Sequence, residues 1–147
     1  MVEIRRMHIK DVSFVYDLEK TTFGFSLEKS MLYDEILYNE MAHYYIMTEH
    51  QQRIGYLGLW LTNPNAEIIN IALVPEKQSQ GYGKKLLEYA IKVCEENKVK
   101  TLTLEVRKSL THLIEFYQSF GFKKIHERKR YYHDHEDAWL MAKEVNV

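Results

Sequence analysis

Three stretches of this 147-residue chain combine residue types and spacings that can do chemistry. Gln78-Ser-Gln-Gly-Tyr-Gly83 stands between an apolar run and an amphipathic one. Glycines there let the backbone approach a ligand closely, and the first turn of a helix offers unpaired N–H groups to an anion such as a pyrophosphate. The spacing is neither the six-residue dinucleotide fingerprint nor the phosphate loop ending in Gly-Lys-Ser/Thr, and an ordinary strand-to-helix turn also accounts for it. Glu105 and Tyr117 supply a proton acceptor and a proton donor, the pair that acid–base transfer needs; the plainer reading is a solvated carboxylate and a packing tyrosine. His133-Asp-His135 has a spacing that ligates a metal when both rings point the same way from a strand, but it falls where a turn is expected, so no metal is predicted. The basic residues Lys123, Lys124, Arg128, Lys129 and Arg130, with Tyr131 and Tyr132 beside them, run straight into Asp134, Glu136 and Asp137. Such mixing of signs reads as a solvated hairpin rather than a nucleic-acid site.

The elements that must position these residues follow from periodicity. Residues 2–7 alternate weakly as a strand. Asp11 is placed to cap a helix carrying Phe14, Val15 and Leu18, and Ser26 a second one carrying Leu27, Met31 and Leu32. Residues 42–48, 54–62 and 67–74 are rich in Tyr, Ile, Leu and Trp and are separated by polar turns at 49–52 and 63–65, which predicts an antiparallel meander. Pro75 ends the third strand. A helix over 84–97 then presents Leu86, Leu87, Ala90, Ile91 and Cys94 on one face, which makes Cys94 a small core residue rather than a nucleophile. Residues 101–106 alternate cleanly, with Leu102, Leu104 and Val106 opposite Thr101, Thr103 and Glu105. A helix over 109–120 stops at Gly121, and strands at 122–130 and 137–143 close the chain. The order is β-α-α-β-β-β-α-β-α-β-β. This is a mixed α/β fold: a mostly antiparallel central sheet flanked by helices, with a βαβ unit in the second half.

Composition bounds the rest. The length favours one domain over residues 1–147, and 46% apolar residues are enough for a core. A net charge of −1 argues against a protein that works by neutralising many phosphates. One cysteine excludes an intramolecular disulfide and points to a reducing compartment. The oily stretch 54–61 is far shorter than the roughly 20 residues of a membrane span, and no signal-peptide pattern opens the chain. A cytoplasmic protein with no membrane and no direct nucleic-acid partner is expected.

Asn70-Ile-Ala-Leu-Val-Pro75, Gln78-Ser-Gln-Gly-Tyr-Gly-Lys84, Leu104-Glu-Val-Arg107 and Phe116-Tyr-Gln-Ser-Phe-Gly-Phe122, in this order and register, resemble the GNAT superfamily of acetyl-CoA-dependent N-acetyltransferases. With Arg130-Tyr-Tyr132 and Glu136-Asp137 added, the chain is most similar to the RimI group, which acetylates the N-terminal alanine of a small-subunit ribosomal protein. The resemblance implies acetyl-CoA as the acyl donor and coenzyme A as product. Pantetheine would lie along the backbone of Ile71, Ala72 and Leu73. Gln78 would open the signature that Gly81 and Gly83 complete, with the pyrophosphate on the N–H groups of Ser79, Gln80, Gly81, Tyr82, Gly83 and Lys84. Glu105 would be the general base, Tyr117 the general acid, and a backbone N–H of the strand ending at Val74 the oxyanion donor. Phe25, Tyr131 and Tyr132 would border the acceptor. Two positions depart from the pattern: Leu110 replaces an Asn that contacts coenzyme A, and Gly24-Phe25 replaces Pro-Trp.

An α-amine with a pKa near 8 is roughly a tenth neutral at pH 7, whereas a lysine near 10.4 is less than about a thousandth neutral, a difference of about 3 kcal/mol. One Glu is therefore better matched to a protein N-terminus. The alternatives are an enzyme for a small-molecule amine, such as a polyamine or amino sugar, and a catalytically silent acyl-CoA-binding module.

Overall fold

The computed structural model describes residues 1–24 and 26–146. Strand β1 (Val2–Arg6) leads through a 3₁₀ turn (Ile9–Asp11) into helices α1 (Val12–Phe23) and α2 (Lys29–Tyr38). The meander follows as β2 (Ala42–Glu49), β3 (Gln52–Leu61) and β4 (Asn65–Leu73). A second 3₁₀ turn (Pro75–Lys77) precedes α3 (Tyr82–Glu96), and β5 (Thr101–Arg107), α4 (Thr111–Ser119), β6 (Lys123–Arg128) and β7 (Ala138–Glu144) complete the chain. Seven strands form one sheet in the order β1-β2-β3-β4-β5-β7-β6, antiparallel except at β4–β5. The element order read from periodicity is the observed one.

Alternation in the strands divides the core between the two faces. In β2, Tyr45 and Met47 join a back-face cluster under α3 and α4, with Leu57, Leu86, Leu87, Leu102, Leu104 and Phe122. Tyr44 and Ile46 join a front-face cluster under α1 and α2, with Val12, Val15, Leu32 and Tyr56. Each fully buried Leu or Ile contributes about 1.5–3 kcal/mol, so both layers are firmly held. Cys94 is fully buried, and burial pushes its thiol up to about 12, as expected of an inert core cysteine. On α3, Val93 is buried beside it and Ile91 is only partly covered.

The sheet parts in the middle. β4 and β5 pair in parallel only at Asn65↔Thr101, Ala66↔Leu102 and Glu67↔Thr103, although β4 runs on to Leu73 and β5 to Arg107. Beyond Glu67, β4 pairs with β3 alone. A bulge there sets Gly58 opposite Asn70 and Leu59 opposite Ile68, which leaves Ile69 as the extra residue. Further along, Gly55 faces Leu73 so closely that a Cβ would lie 2.6 Å from Leu73 Cδ2 and 2.7 Å from the Ala72 carbonyl oxygen, so no other residue fits.

Two expected caps have other roles. Asp11 precedes α1, but its side chain makes no cap bond to that helix. It accepts instead from Arg5 (2.8 and 2.9 Å), Arg53 (2.7 Å) and the His8 amide (2.8 Å), because two guanidinium groups outcompete a helix amide for a buried carboxylate. Ser26 lies too far ahead of α2 to cap it. Glu28 occupies the N-cap position, and Ser26 Oγ donates to Glu19. Of the apolar residues assigned to α2, Leu32 is buried whereas Leu27 and Met31 are exposed. The turn after β2 is tighter than a four-residue one: Glu49 pairs with Gln52 across His50 and Gln51, both at positive φ, as two-residue hairpins require.

Candidate active site

The anion-binding candidate is built at the end of β4. Pro75 starts a 3₁₀ turn, and the chain then passes through left-handed backbone at Ser79 (φ +61°) and Gly81 (φ +89°) before α3 begins. Gly81 is the residue type that tolerates this conformation without cost. The first intrahelical bond runs from the Lys85 amide to the Gly81 carbonyl, so the N–H groups of Tyr82, Gly83 and Lys84 are free of helix partners. The loop is held from below. Gln78 Nε2 donates to the Leu73 carbonyl (3.1 Å) and Gln80 Nε2 to the Glu76 carbonyl (2.8 Å). Glu49, at the far end of β2, pairs with Lys77 (2.6 Å) and accepts from Tyr82 Oη (2.5 Å), and these bonds lower its carboxyl to about 2. Lys77 and Tyr82 thus brace the loop from the β2–β3 hairpin.

The free edge of β4 begins where β5 diverges. Backbone groups of residues 68–73 that would face β5 have no strand beside them, so an extended ligand can pair with Ile71, Ala72 and Leu73 as a further strand would. The Val74 amide donates to the Ile54 carbonyl (2.9 Å), so an oxyanion donor on this strand must be an earlier amide facing the gap.

On the front face, Glu105 accepts from Arg128 Nε (3.1 Å) and Tyr131 Oη (3.4 Å), with its side chain only 11% exposed. Its neighbour was not anticipated from sequence. Glu67 lies opposite Thr103, two residues before Glu105 on the same face of β5. Burial, then the charge of Glu105 and the hydrogen bond shared with it, lift the Glu67 carboxyl to about 7, partly offset by Arg128. A like charge beside a half-buried carboxyl disfavours its ionised form, so Glu67 is the group whose proton is held to near neutral pH. The available clue was the single charged residue of β4; which strand stands beside it depends on the parallel register.

Tyr117 comes from the other side. It projects from α4 into the back-face cluster against Phe116 and Phe122, and burial pushes its phenol up to about 12. Its hydroxyl makes no hydrogen bond to any described residue, yet no described buried polar atom is unsatisfied, so that hydroxyl retains access to solvent. Glu105 and Tyr117 therefore lie on different faces of the sheet. They flank β5 from opposite sides, and the gap between β4 and β5 is the passage that joins those sides.

The loop over 129–137 is stapled to β5 and to the β5–α4 connection. Arg107 pairs with Asp134 (2.8 Å) and Glu136 (3.0 Å) and stacks on the Tyr132 ring (4.1 Å), and Glu136 accepts from the Ser109 amide (2.9 Å). Tyr131 faces Glu105, whereas Tyr132 is held by Arg107 and set back from it. Phe25 lies outside the described residues. His133 and His135 sit in this loop, and among the described residues no group of three or more His, Cys, Asp or Glu could hold a metal ion. Leu110 occupies the N-cap position of α4 with its side chain exposed and no cap bond. No described helix is long and apolar enough to cross a membrane.

The family model described as the acetyltransferase (GNAT) family matches residues 12–122. A Bacillus subtilis (strain 168) protein named, provisionally, a ribosomal protein bS18-alanine N-acetyltransferase is 35% identical over 97% of this chain and 95% of its own. The crystal structure of the ribosomal-protein-S18-alanine N-acetyltransferase from Escherichia coli superposes with a TM-score of 0.91 at 29% identity, covering 100% of this chain and 96% of that one. A GNAT family acetyltransferase from Elizabethkingia anophelis, solved with acetyl-CoA bound, shares the fold with a TM-score of 0.81 at 22% identity, covering 97% of each chain.

Proposed function

The chain belongs to the acetyltransferase (GNAT) family, whose members use acetyl-CoA, and from that premise we propose that it acetylates the N-terminal α-amine of a protein, of the ribosomal-protein-alanine type. The observation that carries the reading is the carboxylate pair Glu67–Glu105 beside the free edge of β4.

An amine attacks only when neutral. An α-ammonium near 8 gives its proton to an ordinary carboxylate near 4.5 at a cost of about 5 kcal/mol, but to one lifted to about 7 at a cost of about 1 kcal/mol. Glu67 and Glu105 together take that proton on the front face, with Arg128 and Tyr131 holding Glu105 in place. A lysine acceptor would add about 3 kcal/mol, which favours an N-terminus.

When bound, acetyl-CoA supplies an acyl group whose departing partner is a thiolate. The backbone of Ile71, Ala72 and Leu73 aligns the donor, and the amides of 79–84 receive its diphosphate at the start of α3. Tyr117 stays protonated throughout the neutral range and donates to the departing sulfur. Full transfer from a phenol near 12 to a thiolate near 8.5 is uphill by about 5 kcal/mol, so Tyr117 acts chiefly by hydrogen bonding. Tyr131 and Tyr132 border the acceptor from the 129–137 loop.

The test is thiol release from acetyl-CoA with three acceptors: a peptide beginning with alanine, the same peptide N-terminally blocked but carrying lysine, and spermidine. Turnover confined to the free α-amine supports the reading. Turnover of spermidine with silent peptides overturns it in favour of a small-molecule acceptor. No release with any of them points to a silent acyl-CoA-binding module.

A further inference from the structure

Glu19, on α1, is a carboxylate only 6% exposed, and none of its hydrogen-bond donors is a lysine or arginine. It accepts from the Tyr56 hydroxyl on β3, from Asn70 Nδ2 on β4 (3.1 Å) and from Ser26 Oγ (2.5 Å). Burying a carboxylate among neutral donors is costly, and an apolar side chain there would pack α1 against Tyr56 of β3 without that penalty. What only the carboxylate achieves is to join three separate segments at one point.

Two of those segments flank the reaction. Asn70 follows the bulged Ile69 on the same face of β4 as Glu67, where β4 has left β5. Ser26 belongs to the connection between α1 and α2, which starts at Gly24 (φ +72°). Helices α1 and α2 cover the front of β2, β3 and β4, and the front-face residues Thr103, Glu105, Leu140 and Ala142 of β5 and β7 remain partly exposed. Ser26, one carboxylate away from Asn70, therefore stands at the rim of that open front surface.

We propose that Glu19 is a positioning residue: it ties the α1–α2 connection, at the rim of the acceptor cleft, to the bulged stretch of β4 that precedes the residues aligning the donor. The tie fixes the spacing between the acceptor mouth and the edge of β4. The loop at 78–84 follows that strand and is braced separately by Glu49. Loss of the tie thus weakens capture of the amine and leaves acetyl-CoA binding intact. The inference rests on the acceptor reading above.

Glu19→Leu and Ser26→Ala test it. Leucine fills most of the same volume and accepts none of the three hydrogen bonds, whereas a glutamine NH₂ could keep the Ser26 link by donating to its hydroxyl. Ser26→Ala removes the connection-side link alone. Each variant is expected to raise the KM of the alanine-terminated peptide about tenfold, since small misplacements of reacting groups are expensive, while the Kd for acetyl-CoA stays within about twofold. Amide hydrogen exchange should quicken at 26–28 and 68–71 and stay unchanged across α3. An unchanged acceptor KM, an equal loss of acetyl-CoA affinity, or faster exchange throughout the chain with a matching fall in Tm would overturn it. Should the wild type acetylate only some other amine, the acceptor reading fails, and the KM for that amine in the same two variants still decides this one.

Discussion

Replacing Glu105 with glutamine should move the acidic limb of the pH–rate profile, because part of what lifts Glu67 is the charge of Glu105 itself. In the wild type the Glu67 carboxyl sits at about 7, with burial as the first cause and Glu105 as the second. Glu105→Gln removes the like charge and frees Arg128, now 3.1 Å from Glu105, to turn toward Glu67. Both changes favour the ionised form, so the Glu67 pKa falls toward the ordinary carboxylate range. At pH 6 a group at 7 is roughly one-tenth ionised, whereas a group near 5 is roughly nine-tenths ionised. The acceptor amine titrates identically in both enzymes and cancels from the ratio of their kcat/KM values. That ratio, variant to wild type, should therefore rise about tenfold between pH 8 and pH 6, although the variant is slower at pH 8 because its base is weaker. Thiol release followed across that range reads it directly, and a carboxyl-carbon NMR titration of Glu67 reads the same shift without turnover. A ratio that stays flat with pH, or a Glu67 titration that does not move, would refute the idea that Glu105 lifts Glu67.

Tyr117→Phe should lower kcat by about 10²-fold with little change in acetyl-CoA binding, since it removes a donor aimed at developing charge; activity within a few-fold of wild type would exclude Tyr117 from that role. Asp11→Asn should destabilise the fold by about 3 kcal/mol in urea titrations at pH 7, because the nearly inaccessible carboxylate loses its two arginines. Burial raises the Asp11 pKa, but Arg5, the His8 amide and Arg53 outweigh it and hold the carboxyl well below the usual range. Its contribution is thus full above about pH 4 and disappears as pH falls, and the gap between wild type and variant should close on acidification. Leu110→Asn should raise stability by about 1 kcal/mol by capping α4, and a calorimetric Tm that does not rise would contradict it.

The fold was legible because its elements carry strong periods. The alternation of residues 101–106 and the helical stripe on α3 gave both the segments and their buried faces, and Gly121 at φ +93° ends α4 where its position suggested. The misreadings share one origin: each depended on a partner outside the residue's own element. Asp11 looks like a cap until Arg53 is beside it, and Ser26 until Glu19 is. Glu67 reads as one more exposed strand residue until the register of β4 against β5 is known, and the bulge at Ile69 follows from β3 pairing rather than from any local signal. Tyr117 was identifiable as a candidate, but its side of the sheet follows from the direction in which α4 returns.

A sheet that splits halfway along two neighbouring strands is unfinished, since residues 68–72 of β4 carry amides and carbonyls that no described strand pairs on one side. Any molecule that zips onto this margin completes the architecture as well as occupying it, so thermodynamic resilience and substrate loading become one quantity. At a hundredfold excess over its Kd such a molecule adds about 2.7 kcal/mol to the unfolding free energy, which makes heat resistance in solution a readout of how fully the enzyme is charged.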